Sequence, residues 1–174
     1  FFVLGNRVDN FPNIIQREYS QGHEIGSHSF SHPQITTLTS DEIEYQFAET
    51  EHRIQQYVPY TTKLVRPPYG QITQSLKEVL QKTFVLWSID TQDWKTRDKD
   101  AIVSEVLNNV KDGDIILMHD MYSTTADACE ELIPALIERG YQLVTVSELL
   151  NAKEITPVAG SVYSRVLSTG NAAS

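Results

Sequence analysis

His28-Ser29-Phe30-Ser31-His32-Pro33 carries two imidazoles four positions apart, a spacing that lets both meet one cation. Pro33 disfavours helical backbone at His32, which places the pair on a turn or short loop, with Ser29 and Ser31 making that loop polar. A zinc-type catalytic centre takes a third protein ligand and keeps one position open for water, yet no carboxylate close before His28 stands in a convincing ligand setting. Three further segments could do chemistry: Arg66-Pro67-Pro68-Tyr69-Gly70, Asp93-Trp94 and Leu117-Met118-His119-Asp120. The two prolines stiffen the first of these, so that it can present a guanidinium to a carboxylate or aim a backbone N–H at an oxyanion; a proline-rich surface turn with a solvated Arg is the alternative. An imidazole gains basicity beside a carboxylate, so an Asp93–His119 contact would suit His119 to donate a proton; without that contact it is a strand-end histidine. Trp94 is the better candidate for a substrate wall and Trp87 for the core. Asp90 and Asp120 fit loop-ordering roles, and His23 and His52 surface or structural ones.

These residues need elements to position them. Phe1 to Leu4 reads as a strand, followed by a helix from Pro12 to Gln21 closed by Gly22, and a short strand His23 to Ile25 that feeds the histidine segment. Thr39 with Glu42 forms a capping box ahead of a longer helix bearing Ile43, Phe47, Ile54 and Tyr57 on one face. Strand Leu64-Val65 delivers Arg66. A helix from Thr73 to Lys82, strand Phe84 to Trp87, a helix bearing Ile102, Val106 and Val110 that Gly113 ends, and a doubly buried strand Ile115 to Leu117 continue the alternation. A helix from Thr125 to Arg139, strand Leu143 to Val146 and a last turn at Ser147 to Leu150 complete it. Alternating strands and helices imply a mostly parallel α/β sheet, and the chemical residues follow strands, at the carboxyl ends where such folds build their sites. Residues 1–150 form the domain; 151–174 lose periodicity and read as a tail.

With 174 residues the chain suits one domain. A net charge of -9 without clustered Lys or Arg argues against a nucleic-acid partner, and no apolar run approaches the roughly 20 residues of a membrane helix. Cys129, the single cysteine, lies at helical spacing with Leu132, Ile133 and Leu136, as expected of a buried core thiol.

Taken together the segments resemble the polysaccharide deacetylases, the NodB-homology group of carbohydrate esterase family 4, with an overall likeness to bacterial peptidoglycan members. His28 to Pro33 looks like the family's H-[ST]-x-x-H-P, Arg66 to Gly70 like R-P-P-Y-G, Asp90 to Trp94 like D-x-x-D-W, and Leu117 to Asp120 like L-x-H-D. The resemblance implies a distorted (β/α) barrel of about seven parallel strands, here lacking its N-terminal strand. It also implies a divalent metal, zinc first and cobalt, nickel or manganese as substitutes, held by His28, His32 and an Asp. Arg66 would orient a catalytic base, Tyr69 would offer its N–H to the oxyanion, Trp94 and Leu117 would line a pocket for the acetyl methyl, and His119 would be the general acid tuned by Asp93.

The implied reaction is hydrolysis of the acetamide of N-acetylglucosamine units in an extracellular or cell-surface polysaccharide, peptidoglycan ahead of chitooligosaccharides. Xylan deacetylation within the same family is one alternative; a non-catalytic carbohydrate-binding module is another. The family's first motif, T-F-D-D-G-P, supplies the base and the third metal ligand and is absent from this chain, where Asp9 and Asp41 stand in other settings. The expected partner is therefore an N-terminal fragment of the same gene product, left bound after cleavage ahead of Phe1. A deliberately truncated chain and a family member that lost the motif are the alternatives.

Overall fold

The structure is a computed structural model and describes residues 1–167. It has the α/β fold with parallel strands that the alternation implies, in two compact units: Phe1–Val85 with Pro157–Tyr163, and Leu86–Thr156 with the residues from Ser164 on.

In the first unit five short strands, β1 (Phe2–Val3), β2 (Gly26–Ser27), β3 (Leu64–Val65), β4 (Thr83–Val85) and β7 (Val162–Tyr163), lie side by side in that order, all parallel. Four helices connect them: α1 (Gly5–Val8), α2 (Pro12–Ser20), α3 (Ser40–Gln55) and α4 (Gln74–Leu80). Helix α3 begins as its sequence dictates, with the Thr39 hydroxyl accepting from the Glu42 N–H and the Glu42 carboxylate accepting from the Thr39 N–H. Its apolar stripe, Ile43 and Phe47, packs with Val65, Leu76 and Phe84; its last turn places Ile54 with Val8, Ile15 and Ile25. Strand register then sets the site. Ser27 pairs with Val65 on the neighbouring strand, so the residues that follow, His28 and Arg66, emerge side by side.

The second unit contains β5 (Ile89–Asp90) paired in parallel with β6 (Ile116–Leu117), and helices α5 (Asp93–Thr96), α6 (Lys99–Asn109), α7 (Ser123–Glu138) and α8 (Val146–Ala152). Ile102, Val103 and Val106 of α6 meet Ala128, Leu132 and Leu136 of α7 over Ile89. Gly113 has φ +86° and sits where an added Cβ would lie 1.9 Å from the Val166 carbonyl oxygen, so no other residue fits there.

Most expected elements stand with small shifts at their ends, but the strand expected over His23 to Ile25 forms at Gly26–Ser27, and other expectations need correction. The described residues hold seven strands, all parallel as the resemblance implies, in a five-stranded sheet and a two-stranded ladder that does not close a barrel with it among those residues. The strand expected over Leu143 to Val146 is absent, because the Thr145 hydroxyl and Glu148 carboxylate form a second capping box that commits this stretch to starting α8. Ile116 is only half-buried, so β6 is not covered on both faces. The stretch read as a tail contributes β7, while 168–174 lie outside the described residues.

Candidate active site

The loop after β2 is held from several sides. Ser29 and His32 both have left-handed backbone, φ +74° and +60°, conformations that cost a non-glycine residue roughly 1–2 kcal/mol each. Hydrogen bonds offset that cost. The Ser29 hydroxyl, fully buried, accepts from the His32 N–H at 3.0 Å. The first N–H groups of α1, those of Gly5 and Asn6, donate to the carbonyls of Ser29 and Phe30 at 3.1 and 3.0 Å, satisfying helix-end donors that would otherwise lack partners. A Cβ at Gly5 would meet the Phe30 ring at 2.6 Å and Thr50 at 2.7 Å, which explains glycine at this close approach. From α3, Gln46 Oε1 accepts from the N–H groups of Phe30 at 3.0 Å and Ser31 at 2.9 Å, while its Nε2 donates to the Ser31 hydroxyl at 3.1 Å.

Within this loop the His28 and His32 rings are edge to face with centroids 4.9 Å apart, and His32 packs against Tyr69 at 4.7 Å. His28 Nδ1 lies 2.6 Å from the Arg66 carbonyl oxygen. A carbonyl can only accept, so Nδ1 carries the proton, and a bond of this kind orients a metal-binding imidazole. Two imidazoles on a braced polar loop suit a borderline cation such as zinc. Among the described residues no set of three or more His, Cys, Asp or Glu is grouped to hold a metal, so His28 and His32 fit part of a ligand set.

Arg66 is half-buried with its guanidinium 4.3 Å from the Phe2 ring centroid, and burial pushes its pKa down to about 10. The solvated surface Arg is therefore not what forms. Tyr69 sits at φ +57°, ψ 14° in the turn that Gly70 and Gln71 close by donating to the carbonyls of Pro67 and Pro68. Tyr69 is 60% exposed and its N–H is not one of those turn-closing donors.

In the second unit Asp93 is fully buried and starts α5, not a loop. Each carboxylate oxygen accepts two hydrogen bonds. Oδ1 takes the Trp94 N–H at 2.9 Å and His119 Nδ1 at 2.7 Å; Oδ2 takes the His119 N–H at 2.6 Å and the Thr125 hydroxyl at 2.8 Å. Burial alone would raise the Asp93 pKa, but these donors, the His119 ring first, outweigh it and hold the carboxyl below the ordinary aspartate range. Leu117 is buried at the end of β6, and Trp94 is 48% exposed. Asp90 orders its loop by accepting from the Gln92 N–H at 2.9 Å. Trp87 is half-buried, so the core reading overstated its burial. Cys129 is also half-buried, its thiol 3.7 Å from the Met118 sulfur, with a pKa raised by burial.

The structure thus gathers His28, His32, Arg66 and Tyr69 in one unit, and Asp93, Trp94, Leu117 and His119 in the other. Sequence reading missed the supports. Gln46 and Thr125 lie on helices at 15 and 32 residues from the groups they bond, and nothing local distinguishes them from other polar helix residues. Ser29 had a signal, a hydroxyl three residues before His32, the separation at which Ser side chains bond local backbone N–H groups.

Gln46→Ala is expected to lower stability by about 1–3 kcal/mol, because loop donors lose their acceptor. Gln46→Glu, which keeps the carbonyl-type acceptor, should retain most of it. Urea unfolding of both variants checks this, and equal losses would mean that the side chain does not act through Oε1.

Comparison with known proteins gives a consistent picture. A family model described as polysaccharide deacetylase matches residues 1–85. The peptidoglycan-N-acetylmuramic acid deacetylase PdaC of Bacillus subtilis (strain 168) is 45% identical over 154 residues, covering 88% of this chain and 33% of that protein. The peptidoglycan-N-acetylglucosamine deacetylase PgdA of Listeria monocytogenes serotype 1/2a (strain 10403S) is 37% identical over 153 residues, again 88% and 33%. The chain thus spans about a third of the length of these curated relatives. A family 4 acetyl xylan esterase from Clostridium thermocellum, solved with a cobalt ion, superposes with TM-score 0.89 at 34% identity, covering 95% of this chain and 84% of that one.

Proposed function

The chain belongs to the polysaccharide deacetylase family, and we propose that it is part of a metal-dependent enzyme that hydrolyses the acetamide of N-acetylated amino sugars in peptidoglycan, outside the cell. The observation that carries this is the braced pair His28 and His32, rings 4.9 Å apart on one loop, with His28 oriented by the bond from Nδ1 to the Arg66 carbonyl. Peptidoglycan is favoured because the relatives PdaC and PgdA carry that substrate in their names. Among the described residues no helix is long and apolar enough to cross a membrane.

In this reading His28 and His32 hold a divalent cation, zinc first, with cobalt, nickel or manganese fitting the same donors. When bound, that ion supplies Lewis acidity toward water and the amide carbonyl. The Tyr69 N–H donates to the oxyanion as the carbonyl becomes tetrahedral. His119 gives a proton from Nε2 to the departing sugar amine, its Nδ1–H directed at Asp93, so that the amine leaves neutral. Trp94 and Leu117 form the apolar wall for the acetyl methyl. Arg66, positioned against Phe2, orients the carboxylate that deprotonates water.

That carboxylate and the third metal ligand are not among the motifs of this chain. We assign both to an N-terminal segment of the same gene product carrying an Asp pair. β1 is paired on one side only, with β2, and its other edge can take a parallel strand.

The test is acetate release from glycan strands of peptidoglycan, chitooligosaccharides and acetylated xylan by a polypeptide carrying both the Asp pair and this chain, before and after chelation. Metal-dependent release from the amino-sugar polymers and none from xylan is expected; metal-independent release, or none from any polymer, would overturn the reading. His28→Ala in the same polypeptide should weaken zinc binding by more than about 100-fold, beyond what loss of a supporting group outside the ligand set costs. Zinc affinity near the parent value would remove His28 from the ligand set.

A further inference from the structure

Arg97 ends α5 with left-handed backbone, φ +51°. Its Nε donates to the Trp94 carbonyl at 3.2 Å, and its guanidinium carbon lies 3.7 Å from the centroid of the Tyr122 ring. The Tyr122 ring in turn is tilted against His119, with centroids 6.4 Å apart. An exposed arginine is thus fixed at three points, backbone, Nε and ring face, beside the imidazole assigned the acid role.

The chain has 23 acidic residues against 14 Lys and Arg, so a cation beside acidic neighbours would ordinarily find a carboxylate. Arg97 does not. Among the described residues no Asp or Glu pairs with it, and three acids close to it in sequence are engaged elsewhere. Asp98 caps α6 through the Ala101 N–H at 3.0 Å, Asp90 accepts from Gln92, and Asp93 is committed to His119, Trp94 and Thr125. Packing over the Tyr122 ring with Nε on the Trp94 carbonyl restrains the guanidinium and uses neither terminal nitrogen, the groups that with a free fork edge bind a carboxylate.

We propose that Arg97, presented on Tyr122, is a carboxylate subsite next to His119, selecting N-acetylated glycans that bear carboxylates over neutral polymers of N-acetylglucosamine. A muramic acid residue carries this chemistry in one of two forms: the free lactyl carboxylate when no peptide is attached, or the carboxylates of the stem peptide that is amide-linked at that lactyl group. The inference deepens the deacetylase reading and rests on it for the identity of the polymer, but the subsite can be tested by binding alone.

The experiment is titration of the chain, followed by tryptophan fluorescence, with three probes: a muramic-acid disaccharide without peptide, the same disaccharide with its stem peptide, and chitobiose. The expected result is tighter binding of a carboxylate-bearing disaccharide than of chitobiose. In Arg97→Gln that preference falls by about 10- to 100-fold, the worth of a charge-assisted hydrogen bond, and in Arg97→Lys it is partly restored. Preference for the peptide-free disaccharide assigns the lactyl carboxylate; preference only for the peptide-bearing one assigns the stem. Equal binding of all three probes, no binding of any, or a preference unchanged in Arg97→Gln would overturn the proposal. Failure of acetate release with this preference intact would instead count against the deacetylase reading and leave the subsite standing.

Discussion

Replacing His119 with alanine in the polypeptide that carries the Asp pair is expected to lower kcat by about 10²- to 10⁴-fold, the range for a positioned general acid, with zinc affinity close to the parent value. The split follows from what the ring touches. Nδ1 is committed to Asp93, and the metal half of the proposal rests on His28 and His32, whose loop is braced by Ser29, Gln46 and α1. The alanine variant keeps the His119 backbone N–H on Asp93 Oδ2, so the carboxylate retains three of its four donors and the turn after β6 keeps its anchor. Loss of turnover therefore reports proton delivery and not collapse of the loop. Matching losses in turnover and zinc affinity would sink the general-acid role, and a normal kcat would sink it more simply.

The parts of this site that the sequence exposed are those whose signal is local. The two imidazoles, the Pro-Pro segment and the Asp-Trp pair each stand within six residues, and the apolar Leu64-Val65 announced the strand that ends at Arg66. Thr39 and Glu42 likewise declared the start of α3. What stayed hidden is what depends on long-range geometry. Thr145 with Glu148 has the same capping spacing as Thr39 with Glu42, yet the apolar Leu143 and Val144 beside it suggested a strand; a local cap outweighed β-propensity once these side chains were left 47% and 41% exposed. β5 is two residues long, too short for any alternation to show, though it sets where α5 begins. Gln46 looked like one more polar residue on the outer face of a helix, because its meaning lies in a loop 15 residues away. Asp93 was legible as a chemical residue, but its four-donor environment was not.

That environment supports the other large expected effect. Asn at position 93 keeps the shape of the side chain but turns one acceptor oxygen into an NH₂ group. One backbone N–H aims at each oxygen of Asp93, so in either amide orientation the Trp94 or the His119 N–H faces a donor in a site with no exposure to water, and the imidazole must change tautomer or the Thr125 hydroxyl rotate to accept from the NH₂ group. Asp93→Asn should therefore destabilise the fold by about 3–5 kcal/mol, the cost of breaking a buried charged pair, a large share of the roughly 5–15 kcal/mol that holds a domain together. The pH dependence separates the charge from the shape. Because the folded Asp93 pKa is depressed, the unfolded chain takes up the proton first as acid is added. The contribution is thus complete above the ordinary aspartate value of about 4 and is lost as pH falls through the lower folded value. Urea unfolding of parent and variant should give a constant difference from pH 7 to about 5 that narrows below about 4. A difference that stays constant into acid would mean that packing, not the carboxylate charge, holds this corner. Should Asp93→Asn fail to fold, Thr125→Val removes one donor from Oδ2 and should cost about 1–3 kcal/mol with the same narrowing in acid.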